Sequence, residues 1–210
     1  MKIVDFPQGS QEWLASRAGM VTASRIADVI AKGKGAAESA VRRDYRAQIV
    51  AEILTGKPQD DGFTNAAMQW GTETEPFARA AYEALYGVMV DQCGLVLHPT
   101  IERGAASPDG LVVDGLVEIK CPKTATHLEY LMAGTAPAKY QPQMLWQMAC
   151  TEREFCDFIS FDPRLPQDLQ MIVVRFERDD KRIKEIEAEV IKFLAEVDAT
   201  IEQLHKRKAA

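Results

Sequence analysis

The chain has 210 residues, a formal net charge of −6 and 47 % hydrophobic side chains, which is enough apolar material for one substantial core. The negative charge argues against a protein that coats nucleic acid through a general basic surface, although a few basic residues in a channel can grip phosphates while the outside stays acidic. Cys93, Cys121, Cys150 and Cys156 form no CxxC or disulfide-like pattern and read as reduced thiols in a cytoplasmic protein. His98, His127 and His205 lack zinc-finger spacing, and no apolar run is long enough for a leader or a membrane span.

In chain order, a short helix is predicted over Trp13–Arg17 after Gly9-Ser10, and a second over Ala23–Ala31 with Thr22 as its cap. Lys32-Gly33-Lys34-Gly35 reads as a mobile loop. Glu38–Leu54 has helical periodicity, and Asn65–Tyr86 reads as a long helix stopped by Gly87, with Gly71 and Pro76 pointing to a bend or split near Trp70. Strands are expected at Val88–Leu97, Gly104–Ala106, Leu111–Val113 and Leu116–Cys121. Helices follow at Ala125–Ala133 and Ala138–Cys150, then strands at Phe155–Phe161 and Met171–Phe176. A last helix, about Lys181–Lys206, spaces Ile183, Ile186, Val190, Phe193, Val197, Ile201 and Leu204 for packing on its own domain rather than for an intermolecular seam. Helices flanking a central mixed sheet make an α/β sandwich, a single domain over 1–210.

The chemistry concentrates in Ser107-Pro108-Asp109-Gly110 and, with eight residues between it and Asp109, Glu118-Ile119-Lys120. Between them, Leu111-Val-Val, Asp114-Gly115 and Leu116-Val read as a hairpin with an Asp-Gly type I′ turn. That turn pairs Val113 with Leu116, Leu111 with Glu118 and Asp109 with Lys120. Alternation then puts Asp109, Glu118 and Lys120 on one face with Leu111, Val113 and Leu116, and Val112, Val117 and Ile119 on the other. Two hard carboxylates suit Mg²⁺, which keeps much of its water shell and takes further oxygens from phosphate. A lysine two residues on can position or deprotonate water, or neutralise the oxygens of a pentavalent phosphorus. This is the residue set of metal-dependent phosphodiester cleavage.

Further motifs accompany the hairpin. Trp13-Leu-Ala-Ser-Arg17-Ala-Gly-Met-Val-Thr22-Ala-Ser24, Trp70-Gly71-x-x-x-Glu75, Tyr140-x-x-Gln143 and Asp162-Pro163-Arg164 occur in order around it. The ordered set resembles the phage lambda-type exonuclease family, the YqaJ-like viral recombinases, within the PD-(D/E)xK nucleases of restriction-endonuclease-like fold.

The resemblance implies a Mg²⁺-dependent, processive 5′→3′ exonuclease on double-stranded DNA ends, releasing mononucleotides and leaving 3′ overhangs for strand annealing. It implies two Mg²⁺ ions, with Mn²⁺ as a substitute, a ring-shaped homotrimer, and a single-strand annealing protein as partner. By position, Asp109, Glu118, the Ile119 carbonyl and Glu75 would hold metal. Lys120 would act on the water, with Gln143 and Tyr140 orienting the site. Arg17, Ser24 and Ser107 match a 5′-phosphate pocket, while Lys34 and Met68 match a basic loop residue and an apolar wedge near the duplex. Arg42, Arg43 and Arg46 join Lys34 as candidates for the basic inner wall of a ring. By themselves Arg17 would be a surface residue, Ser24 a helix-terminus residue and Glu75 part of a solvated helix face. An internally cutting endonuclease of the same fold and a non-catalytic DNA-end adaptor are the rival readings.

Overall fold

The computed structural model describes residues 1–33, 35, 37–59 and 65–208, so Lys34 lies outside the described residues. Strand β1 (Lys2–Val4) leads to helix α1 (Gln11–Arg17), whose first turn is capped by the Ser10 hydroxyl accepting from the Trp13 N–H at 3.1 Å. Strand β2 (Val21–Thr22), a 3-10 turn at Ala23–Arg25 and helix α2 (Ile26–Val29) follow. Helices α3 (Ala40–Thr55) and α4 (Ala66–Tyr86) end on Gly56 and Gly87, both left-handed with φ near +65°, and the Asn65 side chain caps α4. Next come β3 (Leu95–Leu97), β4 (Gly104–Ala106), β5 (Gly110–Val112), β6 (Gly115–Lys120), α5 (Thr124–Ala133) and α6 (Gln141–Thr151). Strands β7 (Phe155–Phe161) and β8 (Met171–Glu177) and helix α7 (Asp180–Lys208) complete the order.

The strands form two four-stranded sheets rather than one central sheet: β1-β3-β4-β2 and β5-β6-β7-β8. Both are mixed. In the second, β6 pairs antiparallel with β5 and parallel with β7, and α5 and α6 supply the crossover that a parallel pair requires. The faces of β6 divide two apolar clusters. Val117 and Ile119 pack with Ala78 and Tyr82 of α4, whereas Leu116 packs with Phe158, Trp146 and the apolar face of α7. The sheet therefore lies between α4 on one side and α6 with α7 on the other.

Several elements differ from expectation for local reasons. The Val88–Leu97 strand shrinks to β3 plus one bridge between Asp91 and Leu111, because the Glu83 carboxylate takes the Val90 N–H at 2.8 Å. Strands β1 and β2 are too short to leave a periodic signal. The Thr22 hydroxyl accepts from Arg17 instead of capping the next helix. Helix α4 runs unbroken through Gly71 and Pro76; Pro76 and Thr72 are exposed, so water can satisfy the carbonyl that proline leaves without a donor. Arg42 is buried against Glu196 (2.6 Å) and Glu38 (2.8 Å), and Arg46 bonds the same two carboxylates. These two arginines tie α3 to α7 and are neutralised internally, so they are not a free basic wall. Arg43 is exposed and paired with Asp44.

Helix α7 buries Ile183, Ile186, Val190, Phe193, Leu194 and Val197 in its own core, while Leu204 is exposed. Phe193→Ala should therefore destabilise by about 3–5 kcal/mol, and Leu204→Ala by less than about 0.5 kcal/mol, in urea unfolding. Equal losses would contradict the packing of α7 on this chain.

Candidate active site

The hairpin exists in a register offset by two residues from expectation. Gly110 faces Val117, Leu111 faces Leu116 and Val112 faces Gly115, leaving Val113 and Asp114 as the two-residue connection. Neither residue has positive φ, so the turn is not type I′. Its carbonyls are held from outside: Arg153 donates to Val113, and the Glu154 N–H donates to Asp114 at 3.0 Å. Gly115 serves close packing instead, since a Cβ there would stand 2.2 Å from the Phe155 ring. A two-residue offset preserves the alternation of faces, so the predicted separation of Leu111 and Leu116 from Val112, Val117 and Ile119 holds. The register puts Asp109, just beyond β5, level with Glu118 rather than Lys120.

Glu118 is fully buried, and both of its oxygens are occupied. Oε1 accepts from Gln143 Nε2 at 2.7 Å and pairs with the Lys120 ammonium, while Oε2 accepts from Gln147 Nε2 at 2.7 Å. Asp109 Oδ2 accepts from the Ile119 N–H at 2.6 Å. Burial, and next the negative charge of Glu118, push the Asp109 carboxyl up to about 8, with Lys120 and the Ile119 N–H opposing and Glu75 adding to the rise. Burial would lower Lys120, but the Glu118 and Asp109 carboxylates outweigh it and hold the ammonium above its ordinary range. Tyr140 stacks on Phe158 with ring centroids 5.7 Å apart, and the Lys120 ammonium lies 5.3 Å from its ring centre. Glu75 is close enough to act on Asp109 electrostatically, yet its carboxylate is held by Arg79 at 2.7 Å. Among the described residues no three His, Cys, Asp or Glu side chains form a cluster able to hold a metal. Asp109 and Glu118 nonetheless suit a hard divalent cation whose shell is completed by water or phosphate oxygens, because such a charge would offset both the burial and the Glu118 repulsion that raise Asp109.

A second group lies along α1. A cleft of about 510 Å³ is lined by Arg17, Ser24 and Met68, together with Thr22, Gln48 and Glu52. The Arg17 guanidinium sits 4.0 Å from the Trp13 ring centre, and Trp13 Nε1 donates to Ser107 Oγ at 3.0 Å. Ser107 does not line this cleft, but the indole joins it to Arg17, and it stands two residues from Asp109.

The YqaJ-like viral recombinase domain matches residues 12–154, more than half of the chain. The chain belongs to the YqaJ-like viral recombinase family. Its fold is that of LHK-Exo, an alkaline exonuclease from Laribacter hongkongensis, at 51% identity and TM-score 0.87 over 95% of this chain and 98% of that one. A second crystal structure, LHK-Exo in complex with dAMP, matches at 50% identity and TM-score 0.88 over the same shares. A phage related exonuclease from Haemophilus somnus 129PT shares the fold at 16% identity and TM-score 0.69, over 88% of this chain and 96% of that one. No curated protein matches significantly.

Within this recombinase fold, the residue that sequence reasoning missed is Gln147. Its signal was available: Gln143 and Gln147 are four apart on α6, so both side chains meet the same carboxylate. The Asp162-Pro163-Arg164 motif also gains a place. Asp162 accepts from Arg164 (2.7 Å) and Thr124 (2.7 Å), and the Arg164 guanidinium covers Trp70 at 4.4 Å. This contact brings α4, and with it Glu75, to the end of β7.

The state of Asp109 gives a pH prediction. Between the ordinary carboxylate range and about pH 8 the folded protein keeps a proton on Asp109 that the unfolded chain has lost, so stability falls as pH rises through that window. In chelator, the melting temperature of the wild type should drop more steeply from pH 5 to pH 9 than that of Asp109→Asn. An added divalent cation should restore only the wild type. Parallel curves would show that the Asp109 charge is not the destabilising one.

Proposed function

We propose that this protein is a Mg²⁺-dependent exonuclease that degrades one strand of duplex DNA from its 5′ end, releasing 5′-mononucleotides and leaving a 3′ overhang for annealing. The observation that carries the reading is the connection of the two groups: Ser107, two residues from Asp109, receives the indole that supports Arg17. A cationic fork beside hydroxyls suits a terminal phosphate, and placing that phosphate near two carboxylates sets the scissile bond at a fixed distance from an end. The crystallisation of LHK-Exo with dAMP, a 5′-mononucleotide, agrees with products of this kind.

Asp109, Glu118 and the Ile119 carbonyl would hold the cation, with Glu75 released from Arg79 to join a second ion. When bound, the cation supplies Lewis-acid stabilisation at phosphorus and a water of lowered pKa. Lys120 is held charged by its carboxylate neighbours, so it orients the attacking water and offsets charge on the phosphoryl oxygens as a donor. Gln143 fixes Glu118, and Tyr140 walls the ammonium. Met68, in the Arg17 cleft, would be the apolar wedge at the end of the duplex, and Lys34, outside the described residues, would be the basic loop residue.

A homotrimeric ring reconciles the −6 charge with a DNA substrate, because enclosure replaces affinity as the source of persistence. The exposed apolar Phe77 and Leu85 of α4 are surface that assembly would cover. An annealing protein would receive the emerging strand. Sedimentation at micromolar concentration tests the ring; a 23.3 kDa species rejects it.

The decisive assay is digestion of end-labelled linear and circular duplexes in Mg²⁺. Linear 5′-phosphorylated DNA should be degraded faster than 5′-hydroxyl DNA, and covalently closed circles should survive. Arg17→Ala should slow the reaction by about ten- to a hundredfold, the loss of one charge-assisted contact, and remove most of the end preference. Lys120→Ala should cost roughly 10²-fold or more. Cutting of closed circles would favour an internal endonuclease.

A further inference from the structure

We propose that Gln147 is a positioning residue of the cleavage centre, fixing the Glu118 carboxylate for the cation; this rests on the reading of the hairpin as that centre. Gln147 is fully buried on α6, one turn deeper than Gln143. Its Nε2 donates to Glu118 Oε2 at 2.7 Å, so the two glutamines hold opposite oxygens of one carboxylate. Lys120 and Gln143 both act on Oε1, which leaves Gln147 as the donor on Oε2 among the described residues. Without it the carboxylate could rotate about its last torsion, which is a soft one.

The other end of the same amide identifies what Gln147 is for. Its Oε1 is buried with no hydrogen-bond partner among the described residues. Turning the amide would not help, since it would aim that oxygen at the Glu118 carboxylate. A core selected for packing alone would place an apolar side chain here, between Met144, Trp146 and Met148, which are all fully buried. The unpaired acceptor is tolerated because the N–H is needed on Glu118. Outer donors of this kind orient a metal-binding group, and their loss typically weakens metal affinity by about 10–100-fold.

The test is Mn²⁺ titration calorimetry on wild type, Gln147→Leu, Gln147→Met and Glu118→Gln, with melting curves in chelator and in Mn²⁺. Methionine keeps the unbranched shape of glutamine and supplies a folded variant if leucine does not pack. Both Gln147 variants should bind Mn²⁺ about 10–100-fold more weakly, and their melting temperature should rise less on adding Mn²⁺ than that of the wild type. Raising Mg²⁺ should recover much of kcat, with KM for DNA unchanged. If Glu118→Gln loses Mn²⁺ while a folded Gln147 variant keeps wild-type affinity, the positioning role is wrong and the centre stands. If Glu118→Gln itself binds Mn²⁺ as the wild type does, the hairpin is not the metal centre and the inference goes with it.

Discussion

A carboxylate sealed inside a protein must be hydrogen-bonded or paired, because an isolated buried charge costs far more than the folded state can spare. Glu118 is such a group, and much of the surrounding architecture follows from that requirement. Strand β6 delivers it to the face of the sheet that meets α6. There Gln143 and Gln147 reach it from successive turns, and Lys120, next on the same face, neutralises it. Asp109 is then level with Glu118 and bonded to the Ile119 N–H, so a second acid is held against the first with too little positive charge for both. The arrangement is unfavourable as an apolar core and well suited to a cation.

The rest of the fold serves to hold that contact still. The α4 side of the sheet is apolar through Val117, Ile119, Tyr82 and Ala78, and the α7 side is anchored by Phe193 and Val190. Strand β6 is thus clamped between two layers and cannot slide. The Arg42 and Arg46 pairs with Glu38 and Glu196 add a polar bond between α3 and α7 at the far edge. The Trp13–Ser107 hydrogen bond carries the influence of the hairpin outward, to the cleft where Arg17 lies. The hairpin carboxylates and the Arg17 cleft are in this way parts of one connected structure.

Much of this was legible in the residues, for identifiable reasons. Glycine at 56 and 87, asparagine at 65 and the periodicity of α7 fix helix ends and faces through local physics, and those elements appear nearly where they are expected. The parity of Asp109, Glu118 and Lys120 survived an incorrect turn, because a two-residue change in register cannot move a side chain to the other face. What could not be read depends on distant partners. Gly115 looks like a turn residue until Phe155 is seen above it, and Arg42 looks like a free cation until Glu196 arrives from the last helix. Glu75 was placed by motif alone, and its bond to Arg79 is a local i,i+4 pair that the spacing itself could have suggested.

The central claim is that the Asp109–Glu118 pair is where the DNA strand is cut. It is tested most directly by measuring mononucleotide release from a linear, 5′-phosphorylated duplex by Glu118→Gln in Mg²⁺. Glutamine keeps the volume and can hydrogen-bond to Gln143 and Gln147, but it removes the charge that would hold the cation. The account predicts a folded protein with no detectable release. Release at the wild-type rate would contradict it.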